Sequence, residues 1–258
     1  MPLTVLFGGP VLLLDGRWAG PSVSRRPADD IAFNRQCLRE MEPGGTGLLR
    51  VHCPPPTAAF SGRDQSSPGY AAAALDLETR GFAPVIRGPG GHLAVYDEGA
   101  VVIDLIAPHA DPRGEPFKRF EILTTLLVDV FRTLGIDACA GPIADEFCPG
   151  SYSVNIAGRY KVAGLAQRLG KCGYHLGAVI MAGDASRCRE AMASAYPKLG
   201  LRLDPRTVGS IADDAPDVTP ADVQASIIDR LRGMVDVSSE TLLTFHRAGQ
   251  HRCIGASA

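Results

Sequence analysis

Residues 146–168, EFCPGSYSVNIAGRYKVAGLAQR, hold a cysteine and a lysine in settings that packing alone does not call for. Cys148 precedes Pro149-Gly150, which places it in an irregular loop, where side chains are disproportionately used for chemistry. A cation near such a thiol lowers its pKa and makes it a nucleophile able to carry an acyl group. Lys161 is followed by Val162, Ala163, Gly164 and Leu165, and two readings of it stand. It snorkels from a strand to solvent, or it points into the gap left by the missing Gly164 side chain, as a point charge on a carbonyl oxygen or phosphate. A hairpin turning at Ala157-Gly158 sets Lys161 across from about Val154. Cys148 and Lys161 therefore meet only if the Cys148-Pro149-Gly150 loop folds back over the sheet.

A second constellation is RGPGGHLAVYDEG, residues 87–99. It is neither GxGxxG nor a Walker loop, so no nucleotide-phosphate cradle follows. The Gly90-Gly91 pair at a strand start admits close approach of a ligand to the backbone, with Arg87 and His92 as flanking polar groups. The alternative is a plain glycine-rich turn. Cys172 and His175, in KCGYH, amount to half a zinc site without a second ligand pair, so no metal is expected. The cysteines other than Cys148 read as small buried hydrophobes.

The elements that must position these groups follow from periodicity and punctuation. A helix is expected over Asp29–Met41, then a strand through Leu49, Val51 and Cys53 that runs into the rigid loop made by Pro54, Pro55 and Pro56. Ser67–Arg80 reads as a helix with Pro68 near its start, and Phe82–Ile86 as a strand. HLAVYDEGAVVIDLIAP is expected to be a hairpin about Asp97-Glu98-Gly99. Pro116–Leu134 is the strongest helix, with Phe117, Phe120, Leu123, Leu127, Val130, Phe131 and Leu134 on one face and Gly135 as its C-terminal stop. SYSVNI and YKVAGLAQ form the Ala157-Gly158 hairpin, LGAVIMA a strand, and DASRCREAMASAY a helix capped by Asp184. Asp204–Asp217 reads as a loop before a last helix capped by Thr219, with Pro220 at its first position. Strands in hairpins with helices between them favour an α/β (α+β) fold with a mixed, largely antiparallel sheet over a Rossmann array. One domain over 1–258 is expected, with a C-terminal helical tail at about 219–258.

Composition narrows the partners. The chain has 258 residues, 45% hydrophobic and 21% charged, with a formal net charge of −2. That balance gives no reason to expect nucleic acid or an anionic membrane. Seven cysteines, an odd and sparse set, fit free thiols in a reducing compartment. The N-terminal MPLTVLFGGPVLLLDGRW lacks a basic start and reads as a strand, and no apolar run is long enough to span a bilayer, so a cytoplasmic location is expected.

Asn34, RVHCPPPTAAFSGRD, RGPGGHLAV and GRYKVAGLAQR, in this order from about residue 30 to 196, resemble the ordered motifs of the lipoate–protein ligase A and octanoyltransferase superfamily. The lysine hairpin is the most specific part. CPGSYSVNIAGRYKVAGLAQR most resembles the amidotransferase branch, the octanoyl-[glycine cleavage H protein]:protein octanoyltransferases. The resemblance implies a fold shared with biotin–protein ligase catalytic modules, Cys148 as the acyl-carrying nucleophile, and Lys161 in the acyl site. Arg87, Gly90, Gly91, His92 and Gly164 fall at substrate-binding positions. Gly88-Pro89 and His92 depart from the usual glycine loop.

The activity implied is transfer of an octanoyl or lipoyl group through a cysteine thioester to a lysine of a lipoyl-type domain. Lys161 and nearby backbone N–H groups would stabilise the oxyanion. The implied partners are the glycine cleavage H protein and the transacylase subunits of 2-oxoacid dehydrogenases, and no cofactor is needed. One alternative is an ATP- and Mg-dependent lipoate–protein ligase working through an acyl-adenylate. Another is a non-catalytic module that binds acyl chains or lipoyl domains.

Overall fold

The computed structural model describes Leu6, Val11–Asp15, residues 26–232 and Val237–Ser239. In chain order the elements are β1 (Val11–Asp15), α1 (Pro27–Glu40), β2 (Gly47–His52), β3 (Thr57–Phe60), α2 (Gly62–Gln65), α3 (Tyr70–Thr79), β4 (Ala83–Ile86), β5 (Ala94–Tyr96) and β6 (Ala100–Pro108). There follow α4 (Pro116–Thr133), β7 (Ala138–Ala140), β8 (Val154–Ile156), β9 (Tyr160–Leu169), β10 (Gly173–Met181), α5 (Ser186–Lys198), α6 (Pro220–Arg232) and β11 (Val237–Ser239). Of the expected tail at about 219–258, Pro220–Arg232 is helix and Val237–Ser239 is strand; the rest lies outside the described residues.

Eight strands form one sheet in the order β11-β1-β2-β6-β10-β9-β8-β7, and β4-β3-β5 form a second. Pairing in the large sheet is antiparallel except for β1 with β2 and β11. This is the mixed, largely antiparallel sheet with flanking helices that the hairpin pattern predicts. Side chains alternate across it. Tyr174, Leu176, Ala178 and Ile180 of β10 enter a core built with Leu123, Leu127, Val130 and Phe131 of α4 and Ile227, Ile228 and Leu231 of α6. The other face of β10 carries His175, Gly177 and Val179, and it is this face that holds a cleft. The small sheet packs with α3 and α5 into a separate core that includes Phe60, Leu77, Val95 and Met192.

Four expectations are corrected. Residues 92–108 are not a hairpin, because β5 pairs with β3 in the small sheet while β6 enters the large one. The chain does turn at Asp97, whose carbonyl accepts from Ala100 N–H at 2.9 Å, but the turn hands it from one sheet to the other. The stretch after the prolines is also a strand, β3, since TAAF is buried at every position. Phe117 is 67% exposed and leaves the packed face of α4. Asp184 stands one residue before the cap position of α5, although its carboxylate still accepts from Ser186 N–H at 2.9 Å.

The Ala157-Gly158 turn forms as expected, both residues having positive φ, +49° and +68°. That geometry matches the twist of the flanking strands, but an L-side chain at Ala157 strains it by about 1 kcal/mol. Ala157→Gly is expected to raise stability by up to about that amount, read as a higher urea midpoint at unchanged slope.

Candidate active site

Lys161 sits on β9 just past this turn, and a bulge decides where it points. Val154 pairs with Ala163 but Asn155 pairs with Lys161, so Val162 is an extra residue on β9. The partner of Lys161 is thus Asn155 rather than Val154. Without the bulge, Lys161 and Gly164 would lie on opposite faces. The inserted residue puts them on the same one, and a Cβ on Gly164 would stand 3.1 Å from Lys161 Cε.

The Lys161 ammonium is 1% exposed. It donates to Glu146 Oε1 at 3.0 Å, to Phe147 O at 2.9 Å and to Cys148 O at 2.9 Å, and lies over the Phe147 ring, 4.6 Å from its centroid. Those contacts fold the loop between β7 and β8 back onto the sheet. Glu146 completes the joint, accepting from Ile143 N–H and Gly150 N–H and from the Ser153 hydroxyl. Burial lowers the Lys161 pKa, against the opposing pull of the Glu146 carboxylate. All three ammonium protons are engaged, so the lysine meets the backbone of Cys148 rather than its sulfur.

Cys148 has φ +42°, a left-handed conformation that L-residues rarely hold. Its N–H donates to the Tyr196 hydroxyl at 2.7 Å, and that hydroxyl donates to Leu93 O at 2.7 Å. The sulfur turns toward the loop between β4 and β5. His92 N–H donates to Sγ at 3.2 Å, and Arg87 Nη2 lies 3.4 Å from it. Arg87 Nη2 also donates to Gly90 O and His92 O, closing that loop around the thiol. Gly91 has φ +98°, and a Cβ there would lie 2.7 Å from Sγ. Only glycine admits this approach. Burial by itself raises the Cys148 pKa, but the charges of Arg87 and Lys161 and the His92 N–H outweigh it and bring it below the ordinary thiol value.

A mainly apolar cleft opens beside the sulfur. Gly164 and Ala166 of β9, Gly177 and Val179 of β10 and Val102 of β6 form its floor, with Ile31 of α1 and Phe147 among its other walls. Val179 pairs with Gly164 at the lysine end. Four residues further along β10, roughly 13 Å at strand rise, is His175. There the lining turns ionic. Asp104 accepts from His175 Nε2 at 2.8 Å and His52 Nε2 at 3.2 Å, and Arg50 lies between Asp104 (3.9 Å) and Asp30 of α1 (2.5 Å). Burial alone would raise the Asp104 pKa; the hydrogen bonds from His175 and His52 and the Arg50 charge hold it well below the ordinary carboxylate value.

Of the seven residues singled out in the sequence, Cys148, Arg87 and Gly164 line the cleft, Lys161 lies against Gly164, and Gly90, Gly91 and His92 belong to the loop that closes around the Cys148 sulfur. Sequence reasoning missed Glu146, Tyr196, Asp64 of α2, whose Oδ1 lies 2.9 Å from His92 Nδ1, and the Asp104 row. Glu146 lies two residues before Cys148, and a buried lysine calls for a carboxylate nearby, so that signal was present. Nothing local marks Tyr196, which is 48 residues away.

The cleft, the cysteine loop and the lysine hairpin lie within residues 26–232, the span matched by the family model described as "Lipoyl protein ligase A/B catalytic domain". The chain belongs to that family. An octanoyl-[GcvH]:protein N-octanoyltransferase from Geobacillus kaustophilus is 28% identical over 175 residues, 68% of this chain and 59% of that protein. A lipoyl-[GcvH]:protein N-lipoyltransferase from Listeria monocytogenes is 33% identical over 113 residues, 43% of this chain and 40% of that one. The matches thus span about half the length of these relatives. A lipoate–protein ligase A solved with ATP superposes with a TM-score of 0.67 at 19% identity, covering 91% of this chain and 89% of that one, which shows the fold. No helix among the described residues is long and apolar enough to cross a membrane.

With its lowered pKa, Cys148 should be alkylated by limiting iodoacetamide at neutral pH before Cys188, whose thiol burial raises. Lys161→Met should slow labelling of Cys148 and, by leaving Glu146 buried and unpaired, destabilise the fold by about 3–5 kcal/mol; peptide mapping and urea melts read both. Asp104 has a depressed folded pKa, so its stabilisation is complete above its unfolded value of about 3.9 and is lost as pH falls through the folded one. The stability gap between wild type and Asp104→Asn should therefore be constant above about pH 4 and shrink only in stronger acid, as followed by melts over a pH series.

Proposed function

We propose that this chain is an acyltransferase of the octanoyl/lipoyl amidotransferase type, moving an octanoyl or lipoyl group through a Cys148 thioester to a lysine of a lipoyl-type carrier domain. The observation that carries the reading is the Cys148 thiol, activated by Arg87 and His92 N–H at the mouth of an apolar cleft. Sγ attacks the carbonyl carbon of the amide that joins the acyl group to the carrier lysine, the C–N bond breaks as that nitrogen takes up the proton lost by the thiol and leaves as the amine, and the chain lies in the cleft as an acyl-enzyme. As the sulfur gives up its charge to the carbonyl oxygen, His92 N–H and Arg87 are the donors placed to follow it. Lys161 acts through its charge and through the loop that it holds, having no proton left to donate to an oxyanion.

The relatives' names support the glycine cleavage H protein as a partner, and transacylase subunits of 2-oxoacid dehydrogenases carry the same kind of acceptor lysine. The donor acyl group is already bonded to a carrier lysine, so this exchange requires neither ATP nor a metal. It also suits a single catalytic domain in the cytoplasm. The ATP-dependent ligase is a second reading, supported by a family description that covers lipoyl protein ligases.

Incubation with octanoylated H protein should add one octanoyl mass to the wild-type chain and none to Cys148→Ser, and Cys148→Ser should lose transfer to the acceptor lysine. Intact mass spectrometry reads the first and acceptor modification the second. Product from ATP plus octanoate but not from the octanoylated carrier, with Cys148→Ser active, would replace this reading with the ligase.

A further inference from the structure

An amine must lose a proton to displace a thioester, and Lys161 is not the group that takes it. Its Nζ is buried and its three protons are committed to Glu146, Phe147 O and Cys148 O. The residue in contact with Sγ on its other side does carry a titratable ring. His92 Nδ1 is 2.9 Å from Asp64 Oδ1, with Asp64 fully buried and the histidine side chain 20% exposed. The other oxygen of Asp64 accepts from the N–H and hydroxyl of Ser61 in the capping box of α2. A carboxylate so held is an acceptor, so Nδ1 must donate, and in the neutral ring Nε2 keeps its lone pair. Nε2 makes no hydrogen bond among the described residues. His92 does not line the cleft and its side chain is partly exposed, so the ring stands outside the space assigned to the acyl chain.

We propose that His92, oriented by Asp64, is the general base of the second half-reaction. The inference rests on the acyl-enzyme reading above. The acceptor lysine's nitrogen forms a bond to the thioester carbon as its proton passes to His92 Nε2. The C–S bond then breaks, Cys148 leaves as a thiolate stabilised by His92 N–H and Arg87, and the imidazolium releases its proton to solvent. No oxidant, metal or nucleotide enters the balance. The arrangement is that of a base with an orienting carboxylate next to a nucleophile, but here the base serves the incoming amine, because the thiol faces the backbone of His92 and not its ring. The charged and titratable groups facing His92 are Asp64 of α2, Arg87 at the end of β4 and the Cys148 thiol.

Thiol alkylation and single-turnover discharge separate thiol placement from base catalysis. His92→Gln retains the backbone N–H beside the thiol, so iodoacetamide labelling of Cys148 should stay within a few-fold of wild type, whereas uptake from the lysine amide of octanoylated H protein, the reverse of discharge, should slow with it. Discharge of the preformed acyl-enzyme to an apo lipoyl domain should slow by roughly a hundredfold or more. Its dependence on pH should lose the limb set by protonation of the base, and free imidazole should restore much of the rate in His92→Ala. Asp64→Asn should slow discharge in the same direction; because it also touches the α2 cap, His92→Gln carries the decision. Discharge at the wild-type rate in His92→Gln would overturn the proposal, as would equal slowing of Cys148 alkylation, which would assign the residue to thiol placement. If the wild-type chain takes up no octanoyl group at all, the acyl-enzyme reading falls instead.

Discussion

The three hydrogen bonds of the Lys161 ammonium set the terms for everything around the cleft. Bringing that charge to 1% exposure costs several kcal/mol of hydration, and it is offset only because Glu146 and two carbonyls, of Phe147 and Cys148, converge on it. Glu146 in turn takes two loop N–H groups and the Ser153 hydroxyl. The result is a loop with no regular structure that is nonetheless fixed by ionic contacts at its centre. The lysine cannot then also be a proton carrier. Its contribution to the sulfur is its field, exerted through low-dielectric surroundings where a charge acts strongly.

Two other elements complete the arrangement. The glycine loop between β4 and β5 supplies the donors that face sulfur, and its closeness is possible only because position 91 has no side chain. Tyr196 ties the cysteine N–H to Leu93 O, linking the cysteine loop, the glycine loop and α5 through one hydroxyl. Beyond the sulfur, the sheet face is floored with small residues where an acyl chain would need width. It ends on Asp104 and its histidines, a boundary between apolar and ionic lining. Arg50 anchors that boundary to α1 through Asp30 and Asn34, so the helix over the cleft and the ionic floor are held together.

Much of this was legible in the amino-acid string because its signals are local. α4 is marked by its apolar stripe and Gly135, the lysine hairpin by Ala157-Gly158, and the cysteine loop by Pro149-Gly150. What was illegible is non-local or depends on count. The Val162 bulge sits in an unbroken apolar run, so nothing distinguishes an inserted residue from a paired one, and the Lys161 partner shifts by one. The turn at Asp97-Glu98-Gly99 reads as a hairpin because turn chemistry fixes the reversal but not which sheet each strand joins. β3 follows three prolines, which mask a strand only four residues long. The Asp104 row comes from three strands at matching register, Arg50 opposite Asp104 and Asp104 opposite Gly177, which no single segment contains.

The left-handed backbone of Cys148 has a thermodynamic consequence. At φ +42° an L-residue stores of order 1–2 kcal/mol that glycine would not. The contacts that hold this conformation run from its N–H to Tyr196 and from Lys161 to its carbonyl. The fold is therefore spending stability to hold a thiol at one angle. Glycine here would relieve the strain and silence the thiol, so stability and chemistry pull this position in opposite directions.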